Sequence, residues 1–306
     1  MIHRMCAGKR LLGNRNAVLL LAMGGGLVFG HGAQWTKGLT IPALALVMTV
    51  TCMGIPGGMF RSPRDLVAST LTALMMNFLV LGGVLYLLSA LVIHDHEIKQ
   101  GFFIMMCMPP GVAVIPFTTF LNGDSKISVL GTVGAYLGAL VITPVALFWF
   151  LGSSLVSPLK LFLIVLELIL IPLGLAWLSR RTGLSEKIAP IKGAITNWGF
   201  FVVVYTIVGL NRQFFFESPL SLLPVAASAL ASTFLLGALI ELAGKTCGID
   251  GRRRTSLVLL GTIKNYGLAG GIALYFFEKQ TAVPAAVSAV FLVIYLIWLG
   301  YKKNSA

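Results

Sequence analysis

The stretch SLVLLGTIKNYGLAGGIALYFF, residues 256–277, is an apolar run of membrane-spanning length, interrupted near its centre by Lys264-Asn265-Tyr266-Gly267. A lysine at the middle of a span costs about 2.5–3.5 kcal/mol on insertion scales, so it needs partners that lipid cannot supply. A second stretch, GFFIMMCMPPGVAVIPFTTFL at 101–121, carries an interruption of the same kind as Pro109-Pro110-Gly111, with Pro116 beyond. Proline removes a backbone donor and clashes with the preceding turn, so a helix running into this pair unwinds. In the other stretch the polar pair Lys264-Asn265 and the following glycines, Gly267 first, do the same. Unwound backbone at membrane depth is tolerated only against protein or a watery cavity.

Around these two stretches, apolar runs recur from end to end. The chain of 306 residues is 57% hydrophobic and only 11% charged, with a mean hydropathy of +0.92. Soluble domains carry about 25% charged residues, so this surface is solvated by lipid. A soluble enzyme, a nucleic-acid module and a secreted disulfide scaffold are excluded. The four cysteines, Cys6, Cys52, Cys107 and Cys247, show no ligand spacing, and no zinc or other metal site is expected.

Ten spans are read at approximately 17–34, 39–59, 66–93, 101–121, 127–151, 159–178, 193–210, 220–243, 256–277 and 282–301. The basic N-terminus before a short apolar run could suggest a signal peptide, but no A-x-A-like cleavage site follows Gly30, and the segment is expected to be retained. Assigning the 23 basic residues to alternate loops places 17 on the side of the termini and five on the other, with Lys264 left inside a span. The positive-inside rule then puts both termini in the cytoplasm and the protein in the cytoplasmic (inner) membrane. The whole chain, 1–306, reads as a single transmembrane domain.

The spans divide into five and five, as half-repeats 1–155 and 156–306. Five is odd, so the second half enters the membrane inverted. Both interruptions occupy the fourth span of their half. Paired discontinuous helices at matching places in two half-repeats are the strongest sequence pointer to a transporter binding site.

The residues 109–144, PPGVAVIPFTTFLNGDSKISVLGTVGAYLGALVITP, together with KNYGLAGGIAL at 264–274 and Ala-Val-Pro-Ala-Ala at 282–286, resemble the bile acid:sodium symporter family. The resemblance implies an all-α carrier of ten helices, with a panel domain and a core domain in which broken helices 4 and 9 cross. It implies transport of small organic anions by alternating access, generally with sodium. It also points to departures. The family's sodium-holding positions after the span 4 break fall on Val114 and Ile115, and those in span 5 on Ser128 and Thr132. The span 3 amide falls on Asn77, while the span 9 acid and amide fall on Leu260 and Lys264. A hard cation needs several oxygen ligands, preferably anionic. Exchanging an acid for leucine and an amide for a cation removes most of that set, so sodium coupling at the usual sites is expected to be lost.

Lys264 is then expected to stand in for the bound cation. As a fixed charge it would help hold an anionic substrate in a uniporter or exchanger. If it loads and releases a proton on alternating sides, transport is proton-coupled. A structural tether is the third option. Glu167, the acid nearest a span centre, is its possible charge partner, while Thr262 and Asn265 are expected to line the cavity. Asp124 reads as a helix cap, and Glu241 as a snorkelling side chain without a transport role. Expected partners are the organic anion and the bilayer, with no cofactor, and with a proton or no ion favoured over sodium for coupling. The protein is read as a monomer or homodimer without nucleic acid. The alternatives are a sodium symporter using non-standard sites, and a carrier of the auxin-efflux or arsenite-efflux type, since Cys107 precedes Pro109 by two residues. An intramembrane enzyme finds no HExxH, GxSxG or GxGD motif, and a channel no pore ring or filter.

Overall fold

The computed structural model describes residues 15–53, 62–151, 158–217 and 220–304, with only part of the side chains between 158 and 169. In chain order, short turns aside, the helices are α1 (Arg15–Val28), α2 (Thr40–Met53), α3 (Pro63–Leu74), α4 (Gly82–Val92) and α5 (His96–Met106). Then come α6 (Val114–Phe120), α7 (Ser125–Leu151), α8 (Pro158–Arg181) and α9 (Lys192–Leu210). The last are α10 (Leu223–Leu230), α11 (Leu236–Thr246), α12 (Gly251–Thr262), α13 (Tyr266–Phe276) and α14 (Val283–Asn304). A π-helical turn, Met75–Leu81, joins α3 to α4, and another, Ala231–Leu235, joins α10 to α11. Among the described residues the structure is otherwise helical, apart from one isolated backbone bridge.

Among the described residues, six helical stretches are long and apolar enough to cross a membrane: Gly30–Met53, Pro63–Val92, Ser125–Phe150, Ala189–Leu210, Leu223–Thr246 and Lys279–Lys303. Ala17–Val28 and Tyr266–Phe276 are shorter apolar helices. Large apolar side chains such as Leu79, Leu91 and Val141 are exposed along these helices, as are Trp35 and Trp149. A surface this apolar is solvated by lipid rather than water. The protein is an integral membrane protein.

Local chemistry moves several boundaries from their sequence positions. The stretch read from 101 starts as a helix at His96, because the Asp95 carboxylate accepts the Ile98 N–H at 2.9 Å and nucleates the first turn. The stretch read from 66 starts at Pro63 behind the N-cap Ser62. Residues 54–59 of the second expected span lie outside the described residues.

The helices pack in two groups. One comprises α1, α2, α8 and α9; the other comprises α3 to α7 with α10 to α14. Glycines bring the closest pairs together. A Cβ on Gly131 of α7 would stand 2.8 Å from the Ser69 carbonyl of α3, and one on Gly26 of α1 would stand 2.9 Å from the Tyr205 carbonyl of α9. Such contacts hold helices together where burial from water contributes nothing.

Candidate functional site at the helix crossing

Two helices are interrupted where the sequence interruptions fall. α5 ends at Met106 and α6 begins at Val114; α12 ends at Thr262 and α13 begins at Tyr266. The two unwound segments lie antiparallel, with Pro110 paired to Lys264. The Gly111 N–H donates to the Ile263 carbonyl at 3.1 Å, and the Asn265 N–H donates to the Pro109 carbonyl at 3.0 Å. Glycine at 111 is required by this approach, because a Cβ would lie 2.8 Å from both the Ile263 Cγ2 and the Lys264 carbonyl.

Each interruption leaves the last carbonyls of a helix without intrahelical donors. Lys264 serves the first. Its Nζ donates to the Met106 carbonyl at 2.8 Å and the Met108 carbonyl at 2.7 Å, and it lies 4.5 Å from the centre of the Phe78 ring. A cation at a helix C-terminus is favoured by the helix dipole, and its remaining proton meets an aromatic face. The lysine is 1% exposed. Asn77, in the π-helical turn, serves the second. Its Nδ2 donates to the Leu260 and Ile263 carbonyls, both at 3.1 Å. π-Helical turns of this kind recur at functional sites.

Asn265 restarts the second helix: its Oδ1 accepts the Leu268 N–H at 3.0 Å, and its Nδ2 donates to the Tyr136 hydroxyl at 2.8 Å. This cap corrects the extent of the interruption. Gly267, expected within the break, is already helical. Its bare Cα instead admits Val203 and Leu44, which a Cβ would meet at 2.9 and 3.0 Å.

One face of α7 holds both interrupted helices. Ser128, Thr132, Tyr136 and Thr143 share that face by helical spacing. The Ser128 hydroxyl accepts from Thr118 of α6 at 2.7 Å, Tyr136 accepts from Asn265, and Thr143 donates to the Cys107 carbonyl at 2.7 Å. Thr132 is buried and its Oγ1, like the Asn77 Oδ1, has no hydrogen-bond partner in the described protein.

Beside the crossing lies a small cavity. One wall, from α1, α2 and α9, is Leu19, Leu44, Phe200, Val203, Val204 and Ile207. The other is the crossing itself, Gly111 to Ala113 and Ile263 to Gly267, continued by α14. Asn265 therefore lines the cavity. Thr262 does not: its hydroxyl donates to the Val258 carbonyl at 2.7 Å, and its methyl faces Gly237. The Glu167 side chain lies outside the described residues. The Asp124 Oδ1 caps α7 by accepting from Lys126 and Ile127, and Glu241 pairs with Arg254 at 3.2 Å. Three residues that reading the sequence missed complete the site: Phe78, Tyr136 and Thr143. The signal for the last two was present, as hydroxyls at the spacing of Ser128 and Thr132 along one helix face.

Residues 38–218 match the Sodium Bile acid symporter family. Among curated proteins, the chain is 28% identical over 198 residues to the uncharacterized sodium-dependent transporter YocS of Bacillus subtilis, covering 63% of this chain and 60% of YocS. It is 27% identical to the probable sodium/metabolite cotransporter BASS3, chloroplastic, of rice, over 65% of this chain and 48% of that one. It is 26% identical to the corresponding BASS1 of Arabidopsis thaliana, over 84% of this chain and 63% of that one. The chain thus spans between about half and two thirds of the length of these relatives.

Proposed function

This chain belongs to the Sodium Bile acid symporter family, and from that premise we propose that it is a secondary transporter of small organic anions in which the ammonium of Lys264 takes the place of the bound sodium. The observation that carries the reading is the pair of hydrogen bonds from Lys264 to the Met106 and Met108 carbonyls. A cation fixed there meets the need of a helix C-terminus that an ion would otherwise meet. The substrate is held in the cavity by the first turn of α13, whose positive dipole end favours an anion. The ammonium itself grips no substrate, because its protons are directed to two carbonyls and an aromatic ring. Coupling is to a proton, or to no ion.

The same reading takes the chain as ten spans in two inverted halves, with both termini cytoplasmic and α1, α2, α8 and α9 as the panel. The recurrence of a π-helical turn followed by a broken helix, once in each half, supports it. So does the meeting at one end of Asp65 with Lys126, of Arg252 with Asp124, and of Lys303 with Thr255.

The test is uptake into proteoliposomes of an organic anion such as taurocholate or a short carboxylate. It is run with sodium, with choline, and with an imposed pH gradient. Uptake equal in sodium and choline, and abolished in folded Lys264→Ala, is expected. A second reading, sodium coupling through what remains of the family's ligand positions, is favoured by the unpartnered Asn77 and Thr132 oxygens. Strict sodium dependence that is lost in Thr132→Val would establish it instead.

A further inference from the structure

At the end of the molecule away from the crossing, α11, α12 and α14 line an open groove. Its mouth carries Lys245, Arg254, Lys302 and Lys303 against one acid, Glu241. Glu241 is already shared between Arg254 at 3.2 Å and Lys245 at 3.9 Å. Arg254 also donates to the Ile249 carbonyl at 2.6 Å, and Lys303 to the Leu121 carbonyl and the Thr255 hydroxyl, so the rim is held in place by the protein. Lys302 lies 4.9 Å over the Trp298 ring. The inner wall is apolar, with Val258, Leu259 and Leu299, and the adjoining stripe of α11 exposes Leu239 and Leu242.

A surplus of three positive charges above an apolar wall that opens on lipid-facing leucines fits an amphiphile with an anionic head. We propose that this groove binds an acidic phospholipid, its phosphate among Lys245, Lys302 and Lys303 and an acyl chain along α11. Basic pockets between membrane helices attract such headgroups, each lysine or arginine contributing about a factor of five. Free phosphate would leave the apolar wall uncovered.

Native mass spectrometry of the full chain in a neutral detergent tests this, titrating phosphatidylglycerol, phosphatidylcholine and inorganic phosphate. Phosphatidylglycerol adducts should form at concentrations where phosphatidylcholine gives none. The double variant Lys245→Gln, Lys302→Gln should weaken phosphatidylglycerol binding about 30-fold, and Lys37→Gln, outside the groove, should leave it unchanged. Three results overturn the proposal: equal binding of phosphatidylcholine, unaltered affinity in the double variant, or displacement of the lipid by equimolar inorganic phosphate, which would assign the groove to a soluble anion.

Discussion

The two helix interruptions do the same thing to the backbone by opposite means. Between α5 and α6, seven residues are unwound by prolines, and the stranded carbonyls are met by a cation reaching across from the other break. Between α12 and α13 only three residues are unwound, and the carbonyls are met by a neutral amide, Asn77, from a third element. The helix that restarts after the first break has no side-chain cap, whereas α13 has Asn265. One interruption is imposed by covalent geometry and neutralised by charge. The other is imposed and satisfied by hydrogen bonding alone. Charge is therefore concentrated on one side of a nearly symmetric arrangement.

Replacing Lys264 by leucine is expected to break that asymmetry most severely. It orphans the Met106 and Met108 carbonyls, and with each buried orphan costing about 1–3 kcal/mol the loss is about 2–6 kcal/mol. Thermal unfolding in detergent measures it, and Lys264→Gln, which restores an amide donor, should recover part. Next comes Gly111→Ala, which forces apart the backbone pairing shared by both breaks. Overpacking of this kind costs about 1–3 kcal/mol, and uptake should fall with the melting temperature. Asn77→Leu should cost less than Lys264→Leu, about 1–3 kcal/mol, because it strands only the Leu260 carbonyl, the Ile263 carbonyl keeping the Gly111 N–H, and also removes the unpartnered Oδ1. If the two substitutions prove equally damaging, the distinction between charge and amide is wrong.

The smallest effect concerns the entry to the second interrupted pair. The backbone N–H groups of Arg252 and Arg253 hold the Asp250 carboxyl below the usual carboxylate range. A depressed value in the folded state means that this stabilisation is complete above the ordinary value of about 3.9 and is lost as the pH falls through the lower folded one. The melting-temperature difference between wild type and Asp250→Ala should accordingly be constant near neutrality and close below about pH 4.

Much of this was legible in the residue order. Pro109-Pro110 and Lys264-Asn265 mark both interruptions because each acts on its own backbone, and local effects survive in a sequence. The choice of partner did not. That Lys264 reaches Met106 and Met108, and that Thr143 reaches Cys107, depends on a crossing of segments more than a hundred residues apart in one case and 36 in the other. Thr262 was expected in the cavity wall by adjacency to the break, yet one step of helical rotation turns it toward Gly237. Gly267 was expected in the break because glycine ends helices, but the Asn265 cap overrides that preference one residue earlier.

The hydroxyl-bearing face of α7 has a mechanical consequence. Its bonds to α6, to Asn265 and to the end of α5 span Ser128 to Thr143, about 22 Å of rigid rod. Shifting the crossing along that rod would break all three at once, whereas the wall from α1, α2 and α9 offers it only hydrocarbon at the cavity. The path of least resistance for a large displacement is therefore along the greasy seam, with α7 carried along as part of the moving body.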